Sequence, residues 1–206
     1  MKIISDFKKP SNEEVEFYLK KWDSLEDYSL QENSLRKLFL QTYPLNNDLD
    51  DVLVKVCVLN QFYGTQIRKV LYMAKHIVSL NIDDDLRNEN LDLVEKIARG
   101  HNIHINENAK ESYLYSFATK YCSHHKPTTY PIYDTYVEQM LVYCRDKDKF
   151  DTFKNEEIKS YLRFKEILLN FRNSYDLKEF DLKQIDKYLW QSGKKYFPKN
   201  YKKNLS

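Results

Sequence analysis

"SFATKYCSHHKPTTYPIYDTYV", Ser116 to Val137, is the stretch on which the fold turns. Its first half is a short helix with Lys120 one turn after Ser116. Pro127 and Pro131 cannot continue that helix, so "HKPTTYPIY" must cross as an extended, stiff connection. Asp134 follows the proline turn and precedes the apolar-periodic "TYVEQMLVY", which makes it the N-cap of the next helix. The stretch therefore reads helix, rigid crossing, helix. A lysine on one helix and an aspartate at the start of the next can converge on one cleft.

The helical period extends outward from there. "SNEEVEFYLKKW" opens with Ser11 and Glu14 as a capping box and sets Val15, Leu19 and Trp22 on one face. "LQENSLRKLFLQTYP" repeats the pattern and stops at Pro44. "DDVLVKVCVLNQFYG" is apolar on nearly all sides up to Asn60, which predicts a central buried helix broken by Gly64. "TQIRKVLYMAKHIVSL" is an amphipathic partner, and "NLDLVEKIARG" ends in a glycine cap. "NIDDDLRNEN" reads as an acidic, exposed connection. "NEEIKSYLRFKEILLNF" and "DLKQIDKYLWQSGKKYF" complete about nine helices. Only 3 glycines occur in 206 residues, too few for the tight turns of a β-meander or Rossmann fold. No phosphate-cradling glycine motif is present. The class is all-α, with residues 1–206 as a single helical domain.

Composition narrows the partners. The net charge is only +2, so any nucleic-acid footprint must be local. One candidate is the stretch from Lys187 to Ser206, with six lysines and no acidic residue. It reads either as a solvated tail or as a phosphate-facing patch with Tyr196, Phe197 and Tyr201 as stacking groups. Lys194 and Lys195 are its candidate phosphate contacts. The 3 cysteines are too few and scattered for a disulfide framework, and read as free thiols of a reducing compartment. No apolar run is long enough for a membrane span, and "MKIISDFKKP" lacks a signal peptide's apolar core. The expected setting is the bacterial cytoplasm or nucleoid. Cys122, His124 and His125 lack the second spaced pair that zinc requires, so no metal and no cofactor is expected.

The Lys120–Asp134 pair has a definite chemistry. A neutral amine can attack an electrophilic sugar carbon and hold it as a Schiff base, once burial or nearby positive charge lowers its pKa. A carboxylate at a helix N-terminus can stabilise an oxocarbenium-like centre. The plain alternative is an exposed lysine and a capping aspartate. His124 lies four residues after Lys120, on its helical face, either tuning the amine, touching a phosphate or sitting at the surface.

"SFATKYC" followed by "YPIYDTYV" resembles the helix-hairpin-helix superfamily of DNA glycosylases, nearest its 8-oxoguanine branch. Lys120 matches that family's lysine, Pro131 its turn proline, Asp134 its aspartate and Val137 the apolar residue that follows. Leu114 and Ser116 stand near the positions of the family's hairpin glycines, and the Lys-to-Asp spacing is about one helical turn shorter. The four-cysteine iron–sulfur pattern of another branch is absent. "LNQFYGTQIRKVLYMAKHI" is similar to the upstream helix carrying the residue that probes the DNA gap; Asn60, Gln61, Tyr63 and Gln66 all qualify. The resemblance implies a two-lobed bundle, with residues 45–115 as central helices and 1–44 plus 116–206 supplying the hairpin, catalytic and C-terminal helices.

Two function classes follow. One is a monomeric DNA glycosylase acting on double-stranded DNA with a damaged or modified base. There Lys120 and Asp134 are catalytic, Ser116 and His124 contact DNA, and Trp190 and Phe197 belong to the base pocket. Its setting is base-excision repair or defence against phage carrying modified bases, and AP-lyase activity can accompany excision. The other is a non-catalytic helical module that binds nucleic acid or protein.

Overall fold

The computed structural model describes residues 4–100 and 113–198. Among the described residues the secondary structure is helical, with no strand. The α-helices are α1 (Asn12–Asp23), α2 (Glu26–Lys37), α3 (Leu49–Tyr63), α4 (Val70–Ser79), α5 (Asp83–Arg87), α6 (Asp92–Ala98), α7 (Tyr115–His125), α8 (Thr135–Asp148), α9 (Tyr161–Ser174) and α10 (Leu182–Tyr196). A π-helical turn, Leu38–Thr42, extends α2, and a 3-10 turn, Asn155–Lys159, precedes α9.

The capping residues act as their chemistry dictates. Ser11, Asp48, Asp134 and Asp181 each accept a free N–H in the first turn of the helix they open. Asp181 and Gln184 form a reciprocal capping box. At Ser11 the expected box is half made: Glu14 supplies its backbone N–H to Ser11, while its carboxylate pairs with Lys8 at 2.7 Å. Gly64 ends α3 in the left-handed conformation, φ 57°.

Two expectations are corrected. "NIDDDLRNEN" is not a bare connection, for it contains α5 and buries Ile82 and Leu86 in the core. Its charges mask two apolar anchors, and the Asp83 carboxylate accepts from the Asn46 backbone at 3.0 Å and side chain at 2.6 Å. Nor is α3 buried all round. It buries Val52, Val56 and Leu59 but exposes Val54, Phe62 and Tyr63, because packing against α4, α7 and α2 uses only part of its circumference. Each fully buried aliphatic side chain of this kind contributes roughly 1.5–3 kcal/mol.

The buried face of α3 also carries Lys55, fully enclosed. Its ammonium donates to the Tyr43 carbonyl at 3.1 Å, the Leu45 carbonyl at 2.8 Å and Asn46 Oδ1 at 2.6 Å. Asn46 Oδ1 also accepts from Tyr121 Oη at 2.6 Å and lies 3.2 Å from His125 Nε2. This polar knot ties the loop before α3 to α7.

A second set of bonds fixes the crossing between α7 and α8. Thr119 Oγ1 accepts from the Tyr133 N–H at 3.1 Å, and Lys120 Nζ donates to the Tyr133 carbonyl at 3.2 Å. Tyr161 Oη holds the Pro131 carbonyl at 3.0 Å. The residue before Asp134 is therefore bonded directly to α7. Across α8 lies α10, itself packed on α1, and Gly193 permits the close approach. A Cβ there would sit 2.6 Å from the Tyr136 carbonyl oxygen.

Candidate active site

The bonds at Tyr133 bring the two ends of the opening motif together. Lys120 and Asp134 line one cavity of about 230 Å³. Trp22 comes to it from α1; Tyr28, Gln31, Glu32 and Leu35 from α2; Phe62 and Tyr63 from α3; Ile132 from the crossing; and Lys183, Asp186, Lys187 and Trp190 from α10. A second cavity, about 310 Å³, shares Tyr63, Lys120 and Asp134 with the first. It is otherwise walled by Gly64–Gln66, Tyr113–Phe117, Tyr133 and Thr135. Both lie near the lower end of the roughly 300–1,000 Å³ typical of small-molecule clefts. Lys120, Tyr63 and Asp134 stand where the two meet.

Lys120 is 3% exposed. Besides the Tyr133 carbonyl, its Nζ meets Ser116 Oγ at 2.6 Å and the Ser116 carbonyl at 3.3 Å, and it lies 5.2 Å from the Tyr63 ring centre. Burial lowers its pKa to about 8, although the Asp134 and Asp186 carboxylates pull the other way and Lys183 assists. At pH 7 about a tenth of such amines are neutral. A neutral amine can donate its two hydrogens to the Ser116 and Tyr133 carbonyls, with the Ser116 hydroxyl at its lone pair.

Asp134 is half-buried and caps α8, accepting the Tyr136 N–H at 2.9 Å. Its negative charge therefore sits at the positive end of the helix dipole.

The aromatic wall is a cluster of three rings. Trp22 and Trp190 centres are 5.8 Å apart and edge-on, while Tyr28 lies 5.1 Å from Trp190 and 5.8 Å from Trp22. Glu32 Oε2 accepts from Trp22 Nε1 at 3.1 Å and pairs with Lys187 at 2.7 Å. Burial pulls the Lys183 pKa down, but Asp186, Tyr63 and Glu32 outweigh it and leave it raised. Asp186 is 7% exposed, and burial pushes its pKa up to about 6 against the pull of Lys183 at 3.6 Å.

The remaining sequence candidates distribute unevenly. Trp190 lines the aromatic cavity, and Lys194 lies 4.4 Å from its ring centre and 3.0 Å from Tyr28 Oη. Phe197 instead packs edge-on against Tyr143, 5.8 Å away, because the chain has left α10 by that point. Lys195 is exposed over the Tyr196 ring; Tyr201 and Lys199, Lys202 and Lys203 lie outside the described residues. Ser116 holds Lys120 and lines the second cavity. His124 is no surface residue: it is 7% exposed, 3.0 Å from Tyr63 Oη, and burial holds its pKa well below the usual range.

Among the four gap-filling candidates, Asn60 is consumed by the turn, bonding Thr65 Oγ1 at 2.7 Å and both backbone groups of Ile67. Tyr63 is 37% exposed, its hydroxyl lies 3.0 Å from His124 Nε2, and burial raises its pKa to about 12. Gln61 and Gln66 are exposed, Gln66 with φ 58°.

Sequence reading missed Trp22, Tyr28, Glu32, Lys183 and Asp186 as site residues. Tyr28, Glu32, Lys183 and Asp186 each lie one turn from a charged or aromatic partner and resemble an ordinary helix surface, while Trp22 reads as part of the apolar face of α1. The 3 cysteines are free, with Cys122 and Cys144 buried, and no group of side chains suited to a metal occurs among the described residues. No described helix is long and apolar enough to cross a membrane.

The HI_0787_N family, an "N-terminal domain" family, matches residues 14–129. The chain belongs to that family. A Haemophilus influenzae protein bearing the name "Uncharacterized protein" is 42% identical over 153 residues, 74% of this chain and 71% of the relative. No solved structure matches. The stretch that matches HI_0787_N includes Trp22, Glu32, Tyr63 and Lys120, while Asp134 and the α10 residues follow it.

Proposed function

We propose that the protein is a DNA glycosylase that flips a damaged or modified base into the aromatic cavity, with Lys120 as nucleophile and Asp134 as stabiliser of the cationic sugar. One observation carries the reading: a buried lysine of lowered pKa and a helix-capping aspartate line the same aromatic-walled cavity. Burial favours the neutral amine that attack at C1′ requires. The Asp134 carboxylate supplies charge where charge develops in the transition state. Trp22, Tyr28 and Trp190 offer faces and edges for a planar base. The substrate is double-stranded DNA in the bacterial cytoplasm or nucleoid, in repair or in defence against phage.

Borohydride trapping tests it on duplexes bearing single modified bases. The wild-type protein should release a base and form a reducible covalent adduct. Lys120→Gln should abolish the adduct and most excision. Asp134→Asn should keep DNA affinity while slowing excision by about 100-fold or more. Asparagine caps a helix about as well as aspartate, so a purely structural Asp134 would leave the rate unchanged. DNA binding without base release in the wild type would leave a non-catalytic helical module instead.

A further inference from the structure

We propose that Asp186 is the general acid that protonates the departing base. The inference rests on the glycosylase reading above and assigns a third catalytic residue to the same site. Two carboxyl groups serve this cavity in unlike surroundings. Asp134 caps α8 beside both cavities, where the helix dipole favours negative charge. Asp186 lies on α10 one turn before Trp190, 7% exposed, and lines the aromatic cavity. Asp186 and Trp190 thus line the same cavity, into which the base is proposed to flip.

The titratable groups around Asp186 come from α10, α2, α3, α7 and α8, while α1 and the crossing bring only Trp22 and Ile132. Lys183 and Lys187 share its helix, Glu32 faces it from α2, Tyr63 from α3, Lys120 from α7 and Asp134 from the start of α8. Lys183 stands 3.6 Å from Asp186 Oδ2 but also 3.8 Å from Glu32, so its charge is divided. Burial and Asp134 favour the protonated carboxyl, Lys183 and Lys120 oppose it, and the balance puts the pKa at about 6.

The step balances as follows. The C1′–N bond breaks and its electron pair goes to the base, which takes the Asp186 proton and leaves neutral. The Lys120 lone pair forms the new N–C1′ bond. Asp186 remains as a carboxylate until solvent reprotonates it, and the new ammonium loses its proton to solvent.

The measurement is single-turnover excision against pH, on duplexes bearing one 8-oxoguanine, hypoxanthine, uracil or 5-hydroxymethylcytosine. An acid of pKa about 6 and an amine of pKa about 8 give a definite profile. The wild-type rate should rise to about pH 6, run level to about pH 8 and fall above it. Asp186→Asn should be about 10- to 100-fold slower at pH 7 and lose the alkaline fall, with DNA affinity by anisotropy within about 2-fold. Asp186→Glu should restore part of the rate together with the fall. An Asp186→Asn protein with wild-type rate, or one keeping the alkaline fall, overturns the acid role alone. A loss of affinity matching the loss of rate makes Asp186 a binding residue and also overturns it. A wild-type protein that releases none of the four bases defeats the glycosylase reading, and this inference with it.

Discussion

Replacing Gly193 by alanine should destabilise the protein although it improves helix propensity. The alanine Cβ would lie 2.6 Å from the Tyr136 carbonyl oxygen, 2.8 Å from its Cβ and 2.9 Å from its carbonyl carbon. Ordinary contact begins near 3.4 Å, so the tightest of these is short by about 0.8 Å. Two of the three atoms are backbone of the first turn of α8, and no rotamer change relieves them. The helices must part instead, and α10 carries Tyr188, Leu189 and Tyr196 in the core. Overpacking of this kind costs about 1–3 kcal/mol, and the gain from glycine to alanine within a helix is about 1 kcal/mol. Where the clash dominates, the net loss is about 1–2 kcal/mol. For a chain of this length that lowers Tm by about 2–8 °C. Helical circular dichroism followed through heat and urea unfolding measures it. A Gly193→Ala protein as stable as wild type, or more stable, would refute the argument that backbone contact decides this crossing. Excision should fall as well, since Lys183, Asp186 and Trp190 ride on the displaced helix.

Lys55→Met should cost about 1–3 kcal/mol in urea unfolding for each of the Tyr43 and Leu45 carbonyls it strands, since Asn46 Oδ1 keeps its bond from Tyr121. Burial lowers the Lys55 pKa to about 8 from 10.5, so the unfolded chain binds more protons between those values. Burial raises the pKa of Cys122, Cys144 and many tyrosines, which opposes this in the wild type, so the signature is a difference. The stability gap between wild type and Lys55→Met should widen from pH 8 toward pH 10 by up to about 1.4 kcal/mol per unit. On the acid side burial lowers His124 well below 6.5 and His125 to about 3, which makes stability rise with pH up to about 6.5. Asp186, raised from 3.8 to about 6, opposes this between those values; with two histidines against one aspartate, the urea midpoint at pH 6.5 should exceed that at pH 4.5.

The local events were legible because local chemistry decides them. Pro127 and Pro131 forbid helix, Asp134 caps, and Gly64 takes the left-handed conformation, each for reasons contained within a few residues. The convergence of Lys120 and Asp134 was legible for a related reason, since a stiff crossing leaves few places for its ends. What actually clamps it, the bonds from Thr119 and Lys120 to Tyr133, depends on which way the crossing folds back. The misreading of α3 had the opposite origin. Apolar periodicity counts which faces can be buried, and neighbouring helices decide how many are. Val54 and Phe62 remained exposed on a sequence that would tolerate full burial.

The α10 side of the cavity was hidden for a sharper reason. Lys183, Asp186 and Lys187 follow the three- and four-residue spacing of a solvated, ion-paired helix surface, the commonest meaning of that pattern. A glycine late in α10 and a carboxylate on α2 turn the face inward. Gly193 brings α10 down against the first turn of α8, and Glu32 on α2 binds Lys187 at 2.7 Å from across the cavity. Neither feature has a local signature pointing to Asp186. The carboxyl whose pKa burial shifts upward is thus the one whose enclosure depends on distant segments, with only Lys183 and Lys187 as helix neighbours. The lysine and aspartate of the proline crossing could be read because their surroundings are largely their own sequence neighbours.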